Sequence, residues 1–115
     1  MTAPDAPEAG DLVWVDLDPV RGSEQAGARP VLVISSGAYN RAGLRAIVCP
    51  VTSNTAPWPT KVPLPDGSPV RGAVLADQVR TLDRRARGYR KIGKAPPEVL
   101  QAVRDILKAL IDDAD

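Results

Sequence analysis

Only one stretch of this chain carries the apolar spacing of a long helix, and it lies at the C-terminal end. Val99, Val103, Ile106, Leu107 and Leu110 fall at i, i+4, i+7, i+8 and i+11, which is one stripe of an amphipathic helix. Leu100 and Ile111 widen the stripe. Ala95-Pro96-Pro97-Glu98 opens it, because proline is tolerated in the first turn and an early acid suits the helix dipole. An isolated helix this short is marginal in water, so its stability must come from docking on the rest of the chain.

The rest of the chain reads as short strands. Leu12 to Leu17 alternates, with Val13, Val15 and Leu17 on one side, and Asp18-Pro19 ends it. Residues 20–28 hold two glycines and several polar residues and read as a loop. Val31 to Ile34 is a short continuous apolar run, the pattern of a buried strand. Residues 35–40 read as a turn, or as one helical turn with a serine cap. Leu44 to Thr52 is the next strand, and residues 54–59 are a loop with two prolines around Trp58. Thr60 to Leu64 alternates but contains Pro63, which suits an edge strand. Asp66-Gly67 is a hairpin signal. Val70 to Leu75 is a strand, Asp77 to Leu82 extends the sheet, and Tyr89 to Ile92 is a last short strand. At 115 residues the chain has room for one core. Residues 1–9, rich in Pro, Ala and acids, are expected to be a flexible tail, and residues 10–115 a single domain. The pattern predicts a mainly β (α+β) protein: an antiparallel barrel or strongly bent sheet with a C-terminal helix on one side.

Composition excludes several chemistries. There is no histidine, so Ser-His-Asp triads, Cys-His pairs and His-containing zinc sites are impossible. There is one cysteine, so there is no internal disulfide and no cysteine cage for a metal. Cys49 lies in the apolar run Ala46 to Val51 and reads as a buried structural thiol. No apolar run approaches the ~18 residues of a membrane span. The N-terminus lacks the basic start and apolar centre of a signal peptide. A cytoplasmic protein is expected.

The net charge of +1 conceals segregation. Residues 1–20 carry −5, residues 71–94 carry +6, and residues 95–115 carry −3. The basic block holds Arg71, Arg80, Arg84, Arg85, Arg87, Arg90, Lys91 and Lys94. Arginine forks suit phosphate oxygens, so a nucleic-acid contact is one reading. A solvated basic face balanced by the acidic ends is the other.

Three polar clusters could carry chemistry. The first is Arg21 to Pro30, where Gly22 and Gly27 bracket Ser23, Glu24 and Gln25, and Arg29 stands at the entry to a buried strand. Such a loop can bring amides close to an anion, with Arg29 held where a phosphate clamp is needed. It can equally be a mobile loop whose glycines turn the chain. The second cluster is Thr52-Ser53-Asn54, whose hydroxyls either bind a phosphate or ribose or cap the loop. The third is Asp77-Gln78-Val79-Arg80, beside the basic block. Trp58 either stacks a base or covers the mouth of the barrel. Trp14 reads as core or dimer interface.

The strings Gly10-Asp11-Leu12-Val13-Trp14-Val15-Asp16-Leu17-Asp18-Pro19, Gly22-Ser23-Glu24-Gln25-Ala26-Gly27-Ala28-Arg29-Pro30 and Leu75-Ala76-Asp77-Gln78-Val79-Arg80 resemble the MazF/PemK family of bacterial toxin endoribonucleases. The resemblance runs from about Gly10 to Ile111. It implies an SH3-like twisted β-barrel with a C-terminal helix, usually a homodimer. It implies sequence-specific cleavage of single-stranded RNA with no cofactor or metal, and an acidic, MazE-like antitoxin as partner. It implies that Arg29 and Thr52 are the catalytic pair. Glu24 is then either the general base or the group that orients Arg29. Ser23, Gln25, Asn40, Ser53, Trp58, Gln78, Arg80 and Arg87 are the expected RNA contacts. A CcdB-like toxin of the same fold, which binds a protein target such as DNA gyrase and cuts no RNA, is the alternative.

Overall fold

The computed structural model describes residues 6–16, 28–83 and 89–112. The strands are β1 (Asp11–Asp16), β2 (Ala28–Val33), β3 (Arg45–Thr52), β4 (Lys61–Pro63), β5 (Ala73–Leu75), β6 (Arg80–Asp83) and β7 (Tyr89–Lys94). The helices are α1 (Gly37–Gly43) and α2 (Pro97–Ile111). All strand pairs are antiparallel, in the order β4-β5-β3-β2-β1-β7. β6 lies beside the first half of β3, where Val48 pairs with Arg80. The same edge of β3 passes to β5 at Val51 and Thr52. Pro50, with no N–H to give a ladder, stands in the gap between the two partners.

The ladder does not close by hydrogen bonds, because β4 and β7 stand at its two ends. The sheet nonetheless curls until those ends meet. A Cβ added to Gly93 of β7 would lie 2.6 Å from the ring of Pro69, in the loop of the β4–β5 hairpin. A strongly twisted, barrel-like antiparallel sheet with a C-terminal helix is thus the observed architecture.

Strand alternation sends side chains into two cores. Leu12, Leu32, Cys49, Val51 and Val74 join Val99 and Val103 of α2. Val13, Val15, Val31, Val33, Val48 and Leu82 form the second cluster, on the other face. The α2 stripe docks as expected through Val99, Val103 and Leu100, but its end runs past the sheet. Leu110 and Ile111 are 55% and 76% exposed.

Several elements differ from the sequence reading. Of the two readings of residues 35–40, the serine-capped helical turn is the one observed, lengthened to a seven-residue helix whose Ser36 hydroxyl accepts from the Tyr39 N–H at 3.2 Å. β5 starts three residues later than expected, after Gly72, whose φ of 137° no strand residue adopts. Residues 76–78 form a 3-10 turn before β6 rather than the start of a strand. Residues 6–9, expected to belong to a flexible tail, are tied down. Pro7 is buried, and its carbonyl accepts from Asn40 Nδ2 at 2.8 Å. Glu8 pairs with Arg41 at 3.1 Å, and the Glu8 N–H donates to Asp11 at 2.9 Å. Two of these three polar contacts reach residues 33 positions away in the chain, and composition does not register them.

Candidate active site at the strand ends

The expected catalytic pair lies at the ends of two neighbouring strands, β2 and β3. Val33 pairs with Val48, Leu32 with Cys49 and Val31 with Pro50. Carried on by two residues, the same register sets Arg29 opposite Thr52. Arg29 also pairs with Val15 of β1, and Val15 pairs with Tyr89 of β7. Arg29, Val15 and Tyr89 therefore form one row across three strands, and the β2–β3 register, continued past its last pair, points Thr52 toward the end of that row.

The two groups of the pair differ in what holds them. Thr52 is buried, and its Oγ1 accepts from the Asn54 N–H at 3.1 Å. The loop beyond is fixed in turn. The Ala56 N–H donates to Asn54 Oδ1 at 3.0 Å, and Lys61 Nζ donates to the carbonyls of Asn54 and Ala56 at 2.8 and 3.0 Å. The Thr52 hydroxyl thus caps its loop through a lone pair and keeps its hydrogen to donate. Among the described residues that hydrogen has no acceptor. Arg29 is half-buried, and its Nε has no hydrogen-bond partner among the described residues. A buried, unmatched guanidinium N–H is costly unless an anion completes it.

Ser53 follows Thr52 and turns to the other face of the sheet. There it is exposed and lines a groove with Trp14, Pro30, Val70 and Arg71. Arg29 lines this groove as well, so the groove reaches round the strand ends. Trp14 is half-buried along this groove rather than buried in the core. Trp58 is 64% exposed, so it lies open and does not cover the barrel mouth. Gln78 is exposed on the 3-10 turn, and Arg80 is exposed on β6. Arg80 faces Val48, four residues before Thr52 on β3, or about 13 Å away along the strand. It cannot share a phosphate with Thr52.

Asn40 is not an RNA contact. It is fully buried, it bonds the Ser35 hydroxyl, and its amide donates to the carbonyls of Pro7 and Ser35 at 2.8 and 3.2 Å. A polar side chain with its hydrogen bonds met inside the protein has none left for a ligand. Ser23, Glu24, Gln25 and Arg87 lie outside the described residues.

The basic block divides by what its members touch. Lys94 and Lys91 approach the Asp11 carboxylate at 2.9 and 3.5 Å. Burial pushes the Asp11 carboxyl up, but the Glu8 N–H and the two lysine charges outweigh it and hold the group below its ordinary value. Arg71, by contrast, makes no ion pair among the described residues and lines the groove beside Arg29. Gly72, the next residue, belongs to no charged or polar cluster of the sequence. A Cβ there would lie 2.2 Å from the Thr52 carbonyl oxygen. The only local signal for Gly72 is the Arg-Gly step ahead of a strand, whereas Arg71 already belongs to the basic block. Cys49 is fully buried, and burial together with the Asp77 charge pushes its thiol up to about 12. It is not a nucleophile. Among the described residues no group of three or more Cys, Asp or Glu side chains could hold a metal ion. No helix among the described residues is long and apolar enough to cross a membrane.

A curled antiparallel sheet with a docked C-terminal helix, and a basic and hydroxyl pair across two strand ends, defines the class. The family model of PemK-like, MazF-like toxins of type II toxin–antitoxin systems matches residues 8–111, and the chain belongs to that family. The endoribonuclease toxin MazF of Escherichia coli K12 is 43% identical over 105 residues, which cover 91% of this chain and 94% of that relative. Endoribonuclease EndoA of Bacillus subtilis is 39% identical over 111 residues, 90% of this chain and 95% of that relative. A crystal structure of MazF from Deinococcus radiodurans superposes with a TM-score of 0.85 at 44% identity, covering 92% of this chain and 96% of that one. A MazE–MazF structure from the same organism also scores 0.85, at 43% identity, covering 95% and 98%.

Proposed function

We propose that this protein is a toxin endoribonuclease that cuts single-stranded RNA with Arg29 and Thr52, and that an acidic, MazE-like antitoxin restrains it. The observation that carries the reading is the placing of Arg29 and Thr52 at neighbouring strand ends, one with an unmatched buried N–H and the other with an uncommitted hydroxyl hydrogen. Both donors face where a phosphate would sit at the strand ends.

The reaction needs no group beyond the chain and the RNA. The 2′-oxygen attacks its adjacent phosphorus as the 2′-OH loses its proton. The bond to the 5′-oxygen breaks, and that oxygen takes up a proton. The products are a 2′,3′-cyclic phosphate and a 5′-OH end. Charge builds on the non-bridging oxygens in the five-coordinate state, and Arg29 with Thr52 stabilises it there more than in the ground state. A guanidinium is all donor and no acceptor, so charge stabilisation is the role of Arg29 rather than general base. Glu24, the only carboxylate in residues 21–30, either takes the 2′ proton or orients Arg29. The need for a 2′-OH selects RNA over DNA. Ser53 on the adjoining groove and the exposed Trp58, Gln78 and Arg80 extend the contact to neighbouring nucleotides, with Ser23, Gln25 and Arg87. The protein acts as a homodimer in the cytoplasm, where its substrate is.

The test is cleavage of one long, defined single-stranded RNA in EDTA, with cuts mapped by primer extension. The expected result is cutting at one short motif, reduced at least about 100-fold in Arg29→Ala. Intact RNA after incubation with folded wild-type protein would overturn the reading and favour a toxin that binds a protein target.

A further inference from the structure

We propose that Arg71 holds the phosphate next to the scissile one, and that the RNA strand runs from Arg29 past Arg71 into the groove of the β4–β5 hairpin loop. The proposal rests on the assignment of Arg29 and Thr52 above and adds a path for the strand. Arg71 lines two grooves. The first it shares with Trp14, Arg29, Pro30 and Ser53. The second it shares with Thr55, Pro63, Asp66, Ser68 and Gly72. It therefore stands where the two meet, and a chain leaving Arg29 by this route passes it.

Most other described bases near the site are committed or too distant, and Arg90, across Trp14 on β7, lines a different groove. Lys61 is bonded to the carbonyls of Asn54 and Ala56, Lys91 and Lys94 hold Asp11, and Arg80 is about 13 Å along the strand. Arg71 is exposed and has no such bond among the described residues. Its backbone is nevertheless fixed. The Leu64 N–H donates to the Gly72 carbonyl at 2.9 Å, the Ser68 N–H and hydroxyl both donate to the Pro65 carbonyl at 3.1 and 2.7 Å, and Pro69 sits on Gly93 of β7. A guanidinium on a fixed hairpin beside the Arg29 groove is a preorganised phosphate contact. Trp14 in the first groove offers an aromatic face for a base. Asp66 repels phosphate from the far end of the second groove, so a base rather than the backbone faces it.

The probe is an RNA containing the mapped cut site with a 2′-deoxy nucleotide at the cut, which binds but cannot react. Its affinity for wild type, Arg71→Ala and Arg71→Lys is measured over a range of salt, with cleavage of the all-ribose RNA alongside. Arg71→Ala should weaken binding on the order of tenfold at low salt. It should also lower the slope of log affinity against log salt by about 0.7, one single-strand phosphate contact. Arg71→Lys should recover the slope, because it keeps the charge. Wild-type affinity and slope in Arg71→Ala, from a protein that cuts RNA in an Arg29-dependent way, would overturn the proposal and leave the nuclease standing. Loss of affinity for an acidic antitoxin peptide alone would overturn it in favour of a protein contact. No cutting and no RNA binding by wild type would overturn both readings.

Discussion

The chemistry of this site depends on where single hydrogen bonds go. Thr52 spends a lone pair on Asn54 and keeps its proton, while Arg29 keeps an unmatched Nε–H. Thr52 owes its position to a residue with no side chain. Gly72 has a φ of 137°, and an added Cβ would lie 2.2 Å from the Thr52 carbonyl oxygen and 3.1 Å from its carbon. The clash is with backbone, so no side chain can rotate away from it. Gly72→Ala should cost more than the ~1 kcal/mol usual for a glycine-to-alanine change, and the cost falls on the strand that carries Thr52. Urea unfolding should show the loss of stability, and RNA cleavage by the folded fraction should fall with it. Wild-type stability and cleavage in that variant would mean that the approach to Thr52 is not needed.

At the scale of elements, α2 is held most firmly by its first half, with Ile106 and Leu107 adding partly buried contacts. Val103 is fully buried and Val99 is nearly so, whereas Leu110 is 55% exposed beyond the sheet edge. Val103→Ala should destabilise the protein by about 2 kcal/mol, from lost burial and the cavity left behind. Leu110→Ala should change the stability of the monomer by less than ~0.5 kcal/mol. Denaturant midpoints of the two variants, taken at two protein concentrations, separate these effects. A large Leu110→Ala effect that grows with concentration would show that the helix end is covered in the dimer.

For the whole molecule, pH acts through Asp11. Its carboxylate ties Glu8 of the N-terminal segment to Lys91 and Lys94 of β7. The group is held below its ordinary value in the folded state, so the folded protein binds that proton less readily than the unfolded chain does. The stabilisation is complete above the unfolded-chain value of about 3.9 and is lost as pH falls through the lower folded value. The stability gap between wild type and Asp11→Asn should therefore be widest above about pH 4 and narrow as the pH is lowered further. A gap that stays constant through that range would mean that Asp11 acts by shape rather than by charge. The same ion pairs explain why a basic block of +6 is not one continuous anion site: part of it neutralises the acidic N-terminal segment.

Periodicity alone located the helix stripe, the alternating strand β1, the buried strand β2 and the edge character of β4 with its proline, because each depends on which face a residue presents to the core. The motif strings marked Arg29 and Thr52 one at a time. Their placing at neighbouring strand ends depends on the β2–β3 register, a long-range pairing that no local pattern encodes. Asn40 was misjudged for the same reason, since a buried amide bonded to Pro7 and an exposed one poised for RNA look alike in a sequence. The docking of residues 6–9, the division of the basic block and the place of Arg71 between two grooves were likewise decided only in three dimensions. A charge or polar group takes its role from its partner, and here the partners are distant in sequence: Arg41 for Glu8, Lys94 for Asp11, and the Thr52 backbone for Gly72.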